Sequence, residues 1–495
     1  MNRENSLAEL EARIHDVSLE LDPESMRRAG YRVVDWIVTR IAGLREASLG
    51  EELPREETEK LLREPLPEQP RAFEEVFEQF ARDVAPNAIS LDHPRFFAFI
   101  PSAPNFVSIL ADALVAGTNV FAGTWLESSG PSQVELVVID WFKQLLGLPA
   151  EGAGLLVSGG SVANLTALAV ARHAVLQDEV GNAVVYLSDQ THASIDRGLR
   201  ILGISGRQLR RLPTDSAYRL RTAELAEQIR HDRAAGFRPL AIIANAGTTN
   251  TGAVDPLEEI ARIAQDNSLW LHVDAAYGGF AALAARGRKA LRGIEQADSV
   301  VLDPHKWLYC PFEAGCVIVR QGQLMRETFR ILPEYMHDVA REEREVNFCD
   351  YGVQLTRSFR ALKIWMPLKT YGAARFREII DQCLNLAEYA ARLFQKCPRL
   401  AIVTPPSLGV FTFRYVPEKL PQDETEREGF LNRLNERLVE RIIASRQLML
   451  SSTRLGTRHV LRFCVLNHRT RKEDVREALR LVEQFGREVE RSNAS

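Results

Sequence analysis

Cysteine is scarce in this 495-residue chain, with six residues and no pair closer than Cys310 and Cys316. That spacing makes neither a disulfide framework nor a zinc ribbon, so no metal is expected and a reducing, cytoplasmic setting is. Long hydrophobic runs are missing too: no stretch approaches the about 18 unbroken apolar residues of a membrane helix. Residues 1–23 are polar and rich in acids, without an apolar run leading to a small-residue cleavage site, so no leader is expected. Neither sign of charge is in excess, since 62 Lys and Arg face 66 Asp and Glu for a formal net charge of −4. Nucleic acid and acidic membrane surfaces are therefore not expected partners. Internal repeats and low-complexity tracts are absent. The 26% charged and 8% aromatic residues exclude disorder, collagen and coiled coil.

What is present is a long chain with 45% hydrophobic residues. Domains of about 100–200 residues would make roughly three of it. In the first ninety residues Met26, Val33, Ile37, Ile41 and Leu44 recur at helical spacing, and further short helices fit Arg55–Arg63 and Ala72–Asp83 between prolines. Helices this short and amphipathic need another surface, as an interdomain wrap or a dimer arm. From residue 105 helices alternate with short Val-, Ile- and Leu-rich runs. Strands are predicted at Leu155–Val157, Ala183–Leu187, Leu240–Ala244, Leu269–Val273, Ser299–Leu302 and Cys316–Val319, and helices at Phe106–Val115, Val134–Leu146, Val162–Leu176 and Pro256–Gln265. Continuous apolar strands between helices predict an α/β fold, a mostly parallel sheet covered on both faces. Beyond residue 370 helices Arg375–Phe394, Glu426–Ile443 and Lys472–Phe485 alternate with strands at Leu408–Tyr415, near Met449 and at Val460–Val465. The expected division is a helical arm (1–90), a large domain (91–370) and a small C-terminal α+β domain (371–495).

Four strand ends carry chemistry. Leu156-Val157-Ser158-Gly159-Gly160-Ser161-Val162-Ala163-Asn164 runs from a strand through paired glycines into a helix. Small residues at a helix start let free N–H groups approach an anion, and the helix dipole favours negative charge there. The alternative is a simple N-capped turn. In His272-Val273-Asp274-Ala275-Ala276-Tyr277, Asp274 ends a buried strand, where an unpaired carboxylate is costly and needs a cation or strong donors. The small Ala275 and Ala276 leave room for something flat. Asp303-Pro304-His305-Lys306-Trp307 places Lys306 at another strand end, where desolvation would make a neutral, nucleophilic amine. Ser188-Asp189-Gln190-Thr191-His192 offers His192 for stacking or proton transfer, or as an ordinary loop histidine.

A competing class uses the same residues. Gly159-Gly160-Ser161-Val162-Ala163 resembles a nucleophile elbow, and Ser161, Asp274 and His305 keep the chain order of an α/β-hydrolase. No oxyanion segment of the His-Gly-Gly-Gly type precedes it, and Lys306 is left unexplained. All four features fit pyridoxal phosphate, which needs a lysine for its aldehyde, an acid for its ring nitrogen and a helix start for its phosphate.

Nearly the whole chain resembles the pyridoxal-phosphate-dependent decarboxylases of the aromatic-L-amino-acid decarboxylase family. The motifs are His93-Pro94-Arg95-Phe96-Phe97-Ala98, Asp189-Gln190-Thr191-His192, His272-Val273-Asp274-Ala275-Ala276-Tyr277, Pro304-His305-Lys306-Trp307 and Arg357-Ser358-Phe359-Arg360-Ala361-Leu362-Lys363. The resemblance implies a fold-type-I aminotransferase-like architecture and a homodimer in which the N-terminal helices cross the interface. It implies Lys306 as the cofactor lysine, Asp274 on the pyridine nitrogen and His192 over the ring. Gly160, Ser161 and His305 would contact phosphate, Thr249, Ala276 and Asp303 would support the site, and Ser102 matches a substrate-pocket threonine.

One segment departs from the family. Aligning Glu345-Val346-Asn347-Phe348-Cys349-Asp350-Tyr351 on Leu355 and Arg357 puts Phe348 where relatives carry a tyrosine that protonates the product carbon. In plant relatives Phe there marks aldehyde synthases, in which decarboxylation is coupled to oxidative deamination by oxygen, giving aldehyde, CO2, ammonia and peroxide. Alternatively the loop is shorter and Tyr351 or Tyr335 reaches the site. Losing a general acid, worth about 10²–10⁴-fold, would let oxygen compete. Thr356 stands where relatives have Gly or Ser, which disfavours an indole and points to Phe, Tyr or dopa over Trp. The expected activity is decarboxylation of such an amino acid to its amine and CO2, with the aldehyde synthase as the alternative. A binding-only relative would be coloured and inert.

Overall fold

The computed structural model describes residues 3–100, 103–177, 179–331 and 345–494. It contains two compact units, residues 1–89 and 90–495.

In the first unit, helix Pro23–Gly43 begins at Asp22, whose carboxylate accepts the Glu24 and Ser25 N–H groups at 3.0 Å each. A capping acid followed by proline at the first helical position is a strong helix start. The helix buries none of its residues fully; Trp36 meets Phe77 and Phe80 edge-on at 6.3 and 5.5 Å. Helices Arg55–Leu62 and Phe73–Gln79 follow, the latter ending in a π turn at Phe80–Val84.

The second unit is built on a seven-stranded sheet. Its strands are β1 (Ala153–Val157), β2 (Ala183–Ser188), β3 (Leu209–Leu212), β4 (Arg238–Asn245), β5 (Trp270–Asp274), β6 (Ser299–Leu302) and β7 (Gly315–Val319), in the order β1-β7-β6-β5-β4-β2-β3. Only β7 runs against its neighbours. β2 and β4–β7 are almost wholly buried, which is why they read as continuous apolar runs, and alternate residues feed separate hydrophobic clusters on the two faces. β3 was not foreseen: Leu209-Arg210-Arg211-Leu212 is an edge strand whose arginines pair with Asp232 and Asp196. A second sheet joins β8 (Leu400–Ser407), β9 (Val410–Tyr415), β10 (Ser451–Leu455) and β11 (Arg458–Cys464), all antiparallel, in the order β10-β11-β9-β8. Here the single strand predicted at Leu408–Tyr415 is the second arm of a hairpin turning at Leu408 and Gly409, both in the left-handed region. Packed Phe394, Phe411, Phe413 and Phe463 form its core.

The expected boundary at 370/371 falls inside helix Leu362–Gln395, beside a break at Gly372, where φ is 74°. Among the described residues no helix is long and apolar enough to cross a membrane.

Candidate functional site

The carboxyl ends of β1, β2, β4, β5 and β6 open into one cleft, as expected for ligand sites in parallel sheets. β1 passes through Ser158 and Gly159 into helix Gly160–Leu176. A Cβ at Gly160 would stand 2.9 Å from Asp303 Oδ2 and 3.2 Å from the Ala276 methyl, so a side chain here would crowd the approach of this helix start to the β5 and β6 ends. The Gly159 carbonyl accepts the first intrahelical bonds, from the Val162 and Ala163 N–H groups. The earlier Gly160 and Ser161 N–H groups thus face the cleft as donors, reinforced by the helix dipole.

Asp274, the last residue of β5, is buried. Its Oδ1 accepts the Ala276 N–H at 3.1 Å and its Oδ2 accepts from Asn164 Nδ2 at 3.0 Å. Two donors keep a buried carboxylate in place without a cation, and its remaining lone pairs are free for a ligand.

Lys306 lies on the one-turn helix Pro304–Trp307 that follows β6. Its Nζ is 2.8 Å from Asp303 Oδ2, the atom that also lies 3.6 Å from His305 Nε2. The amine therefore sits in an ion pair, not in the apolar slot expected from its neighbours. Trp307 points away, fully buried and stacked on Tyr277 at 5.5 Å. Burial pushes the His305 imidazole below its ordinary range, against the opposing pull of Asp303, and its Nδ1 accepts the Ala314 N–H at 3.3 Å.

His192 caps the helix Ala193–Ile201. Its Nδ1 accepts the Ser194 N–H at 3.2 Å and lies 2.8 Å from Ser194 Oγ. Behind it, Ser194 Oγ receives Asn164 Nδ2 at 2.9 Å, and Asn164 Oδ1 meets His272 Nε2 at 3.0 Å. Burial lowers His272 to about 4, so this imidazole is neutral. Its Nδ1 contacts Ser299 Oγ at 2.8 Å, and Trp270 Nε1 donates to the same oxygen at 2.8 Å.

Gly160, Ser161, His192, Thr249, Asp274, Ala276, Asp303, His305 and Lys306 all border the cleft. The Thr249 loop is held from the second sheet by buried Arg462, which donates to the carbonyls of Asn250 and Thr249. Other expected residues lie elsewhere. Phe348 is buried at 1% exposure in the hydrophobic cluster of β1 and helix Gly160–Leu176, 4.9 Å from the Arg357 guanidinium. Tyr351 packs half-buried on the same cluster, 6.0 Å from Phe348, and Thr356 is exposed; none of the three borders the cleft of its own chain. Ser102 and Tyr335 lie outside the described residues.

Asn164, Ser194 and Gln190 were missed as site residues. Asn164 stood in the quoted glycine stretch, one helical turn past Gly160, and a polar residue on the sheet-facing side of an apolar helix is the signal that marks it. The hydrolase arrangement is not assembled: Asp274 is held by Asn164 and Ala276, while the carboxylate beside His305 is Asp303.

A lysine, a strand-end carboxylate and an open helix start converging on one cleft with small residues at its floor suit the amine-reactive aldehyde, ring nitrogen and phosphate of pyridoxal phosphate. Comparison with known proteins agrees. Residues 54–416 match the pyridoxal-dependent decarboxylase conserved domain. The chain is 42% identical to an aromatic-L-amino-acid decarboxylase of Bacillus atrophaeus over 95% of its own length and 98% of the relative's. It is 32% identical to a phenylacetaldehyde synthase of Arabidopsis thaliana over 94% and 96% of the two chains. It also superimposes on a crystal structure of Oryza sativa TDC with PLP and tryptamine with a TM-score of 0.89 at 28% identity, covering 95% of this chain and 99% of that one.

Proposed function

The chain belongs to the pyridoxal-dependent decarboxylase family, and on that premise we propose that it converts an aromatic L-amino acid to its amine and CO2. It is a pyridoxal-phosphate-dependent carboxy-lyase of fold type I. The observation that carries the cofactor chemistry is the convergence of Lys306, Asp274 and the Gly160 helix start on one cleft; the aromatic substrate class rests on the 42% identical aromatic-L-amino-acid decarboxylase.

Bound there, pyridoxal phosphate supplies an aldehyde that captures amines and a ring that takes up the electrons of the breaking Cα–carboxylate bond. Lys306 would hold the aldehyde, and Asp303, 2.8 Å from its Nζ, orients that amine and takes the charge when it is protonated. Asp274 would keep a proton on the ring nitrogen, its own position set by Asn164 and Ala276. The Gly160 and Ser161 N–H groups would receive phosphate, beside His305. His192, rooted at a helix start, would cover one ring face.

The amine is favoured over the aldehyde by the position of Phe348. Its ring is 1% exposed and packed in the core of its own chain, which speaks against a place at the substrate. On this reading its lack of a proton to donate does not decide the product. The aldehyde synthase is kept as the alternative because phenylacetaldehyde synthases stand among the relatives.

Phe, Tyr and dopa are proposed ahead of Trp on the bulk of Thr356. Since Thr356 is exposed and outside its own cleft, this preference goes with a homodimer, which we also propose, in a cytoplasmic setting. The test is product analysis under air with phenylalanine, tyrosine, dopa and tryptophan. Amine without peroxide is expected, with tryptophan slowest. Stoichiometric peroxide and ammonia reject the simple decarboxylase, comparable turnover of Trp and Phe rejects the preference, and a monomer by sedimentation rejects the assembly.

A further inference from the structure

We infer that Asn164 is a positioning residue which, through Ser194, fixes His192 as the neutral imidazole carrying its proton on Nε2, while tying that histidine to the Asp274 carboxylate. The inference rests on the reading of the cleft given above and concerns a hydrogen-bond chain whose direction can be worked out link by link.

Both ends of the chain have only one possible polarity. At one end the Trp270 indole N–H can only donate, and it does so to Ser299 Oγ at 2.8 Å. At the other end, the Asp274 carboxyl accepts at both oxygens, Oδ1 from the Ala276 N–H and Oδ2 from Asn164 at 3.0 Å, so the Asn164 atom there is the amide nitrogen. That settles which way the Asn164 amide is turned. Its oxygen then faces His272 Nε2 at 3.0 Å, and two acceptors cannot bond, so His272 carries a proton on Nε2. His272 is neutral, hence its Nδ1 is bare and receives the Ser299 hydroxyl proton across 2.8 Å. Each group from Trp270 to Asn164 has one role and no choice.

The second amide proton of Asn164 goes to Ser194 Oγ at 2.9 Å. Ser194 is buried, and its hydroxyl hydrogen must point elsewhere, towards His192 Nδ1 at 2.8 Å. The Ser194 backbone N–H aims at the same Nδ1 from 3.2 Å, a longer contact that supports the hydroxyl's without replacing it. Two donors converge on one ring nitrogen, so that nitrogen is unprotonated. The His192 proton is left on Nε2, the ring's only N–H donor. A single asparagine side chain thus holds both the carboxylate proposed for the ring nitrogen and the histidine proposed for the ring face, and a change at either is felt at the other through one rigid amide.

The test is 15N-histidine NMR of the full-length protein, before and after addition of pyridoxal phosphate, with the His192 signals identified by their loss in His192→Gln. The expected wild-type pattern is a single tautomer protonated on Nε2 in both states. Ser194→Ala is expected to convert it to a mixture with the Nδ1–H form, Asn164→Ala to shift it the same way, and Ser194→Thr to restore the wild-type pattern. A His192 proton on Nδ1 in the wild type overturns the inference without any variant, as does a Ser194→Ala spectrum identical to wild type. Persistence of the His272 Nε2–H signal in Ser194→Ala shows that this variant is folded. Because no turnover is read, a protein that decarboxylates nothing but shows Nε2–H at His192 leaves this inference standing; an active one showing Nδ1–H refutes it alone.

Discussion

Arg357 and Glu135 form an ion pair at 2.6 Å with both side chains fully buried. Glu135 Oε1 also accepts the Leu156 N–H, and Arg357 donates to the Leu156 and Ala122 carbonyls. Phe348 packs over the guanidinium. The segment that carries Phe348 is thereby fastened to β1, the strand that delivers the Gly160 helix start. Removing one partner of such a pair strands the other charge in the core, at about 3–5 kcal/mol. Arg357→Ala is expected to lower the unfolding free energy by that amount in urea titration. A loss under about 1 kcal/mol would show that the pair is not buried as described.

Lys306→Ala is expected to abolish decarboxylation and the borohydride-dependent loss of visible absorbance. In the wild type, reduction should attach the cofactor to Lys306, read by peptide mass. Attachment at any other lysine removes Lys306 from the proposed site.

Asp274→Asn keeps the shape of the side chain and removes its charge. Hydrogen bonds to charged groups contribute about 1.5–3 kcal/mol, so cofactor affinity should fall roughly 10- to 100-fold in a spectral titration, with turnover falling as well. Unchanged affinity and turnover would mean that Asp274 does not meet the ring.

Phe348→Tyr adds a hydroxyl to a packed apolar position. The amine-to-aldehyde ratio under air should stay as in the wild type, while stability drops by about 1–3 kcal/mol for an unpartnered buried hydroxyl. A wild type that makes aldehyde under air, with products that shift towards amine in this variant, would place Phe348 at the chemistry after all.

Stability should decline as the medium is acidified from pH 6.5 to about 4. Burial lowers His272 and His468 from 6.5 to about 4 in the fold. Between these values the unfolded chain binds protons that the folded chain refuses, so unfolding becomes easier as pH falls; above 6.5 the effect vanishes. His468→Gln removes one such proton and should flatten the slope by up to about 1.4 kcal/mol per pH unit. An unchanged slope in chemical denaturation series across this range would contradict the burial of His468.

Much of the fold was legible because its cause is local. β2, β4, β5, β6 and β7 are buried on both faces and so leave unbroken apolar runs that any window detects. β3 and β8 escaped because an edge strand tolerates Arg210 and Arg211, and Leu400–Ser407 alternates with exposed positions and two prolines.

The same division separates the two halves of the site. The sequence by itself determined the reactive groups: Lys306, Asp274, His192 and the Gly160 helix start follow apolar strands, and a parallel sheet must bring its strand ends to one edge. Tertiary structure alone decided which partners those groups keep. The ion pair of Lys306 with Asp303, the amide of Asn164 between Asp274 and Ser194, and the burial of Phe348 beneath Arg357 join residues whose contact depends on register and packing. Phe348 shows the difference most plainly. A one-dimensional alignment assigns it a place along a loop, but only packing can say whether its ring faces a substrate or the core, because burial is a property of neighbours far away in the chain.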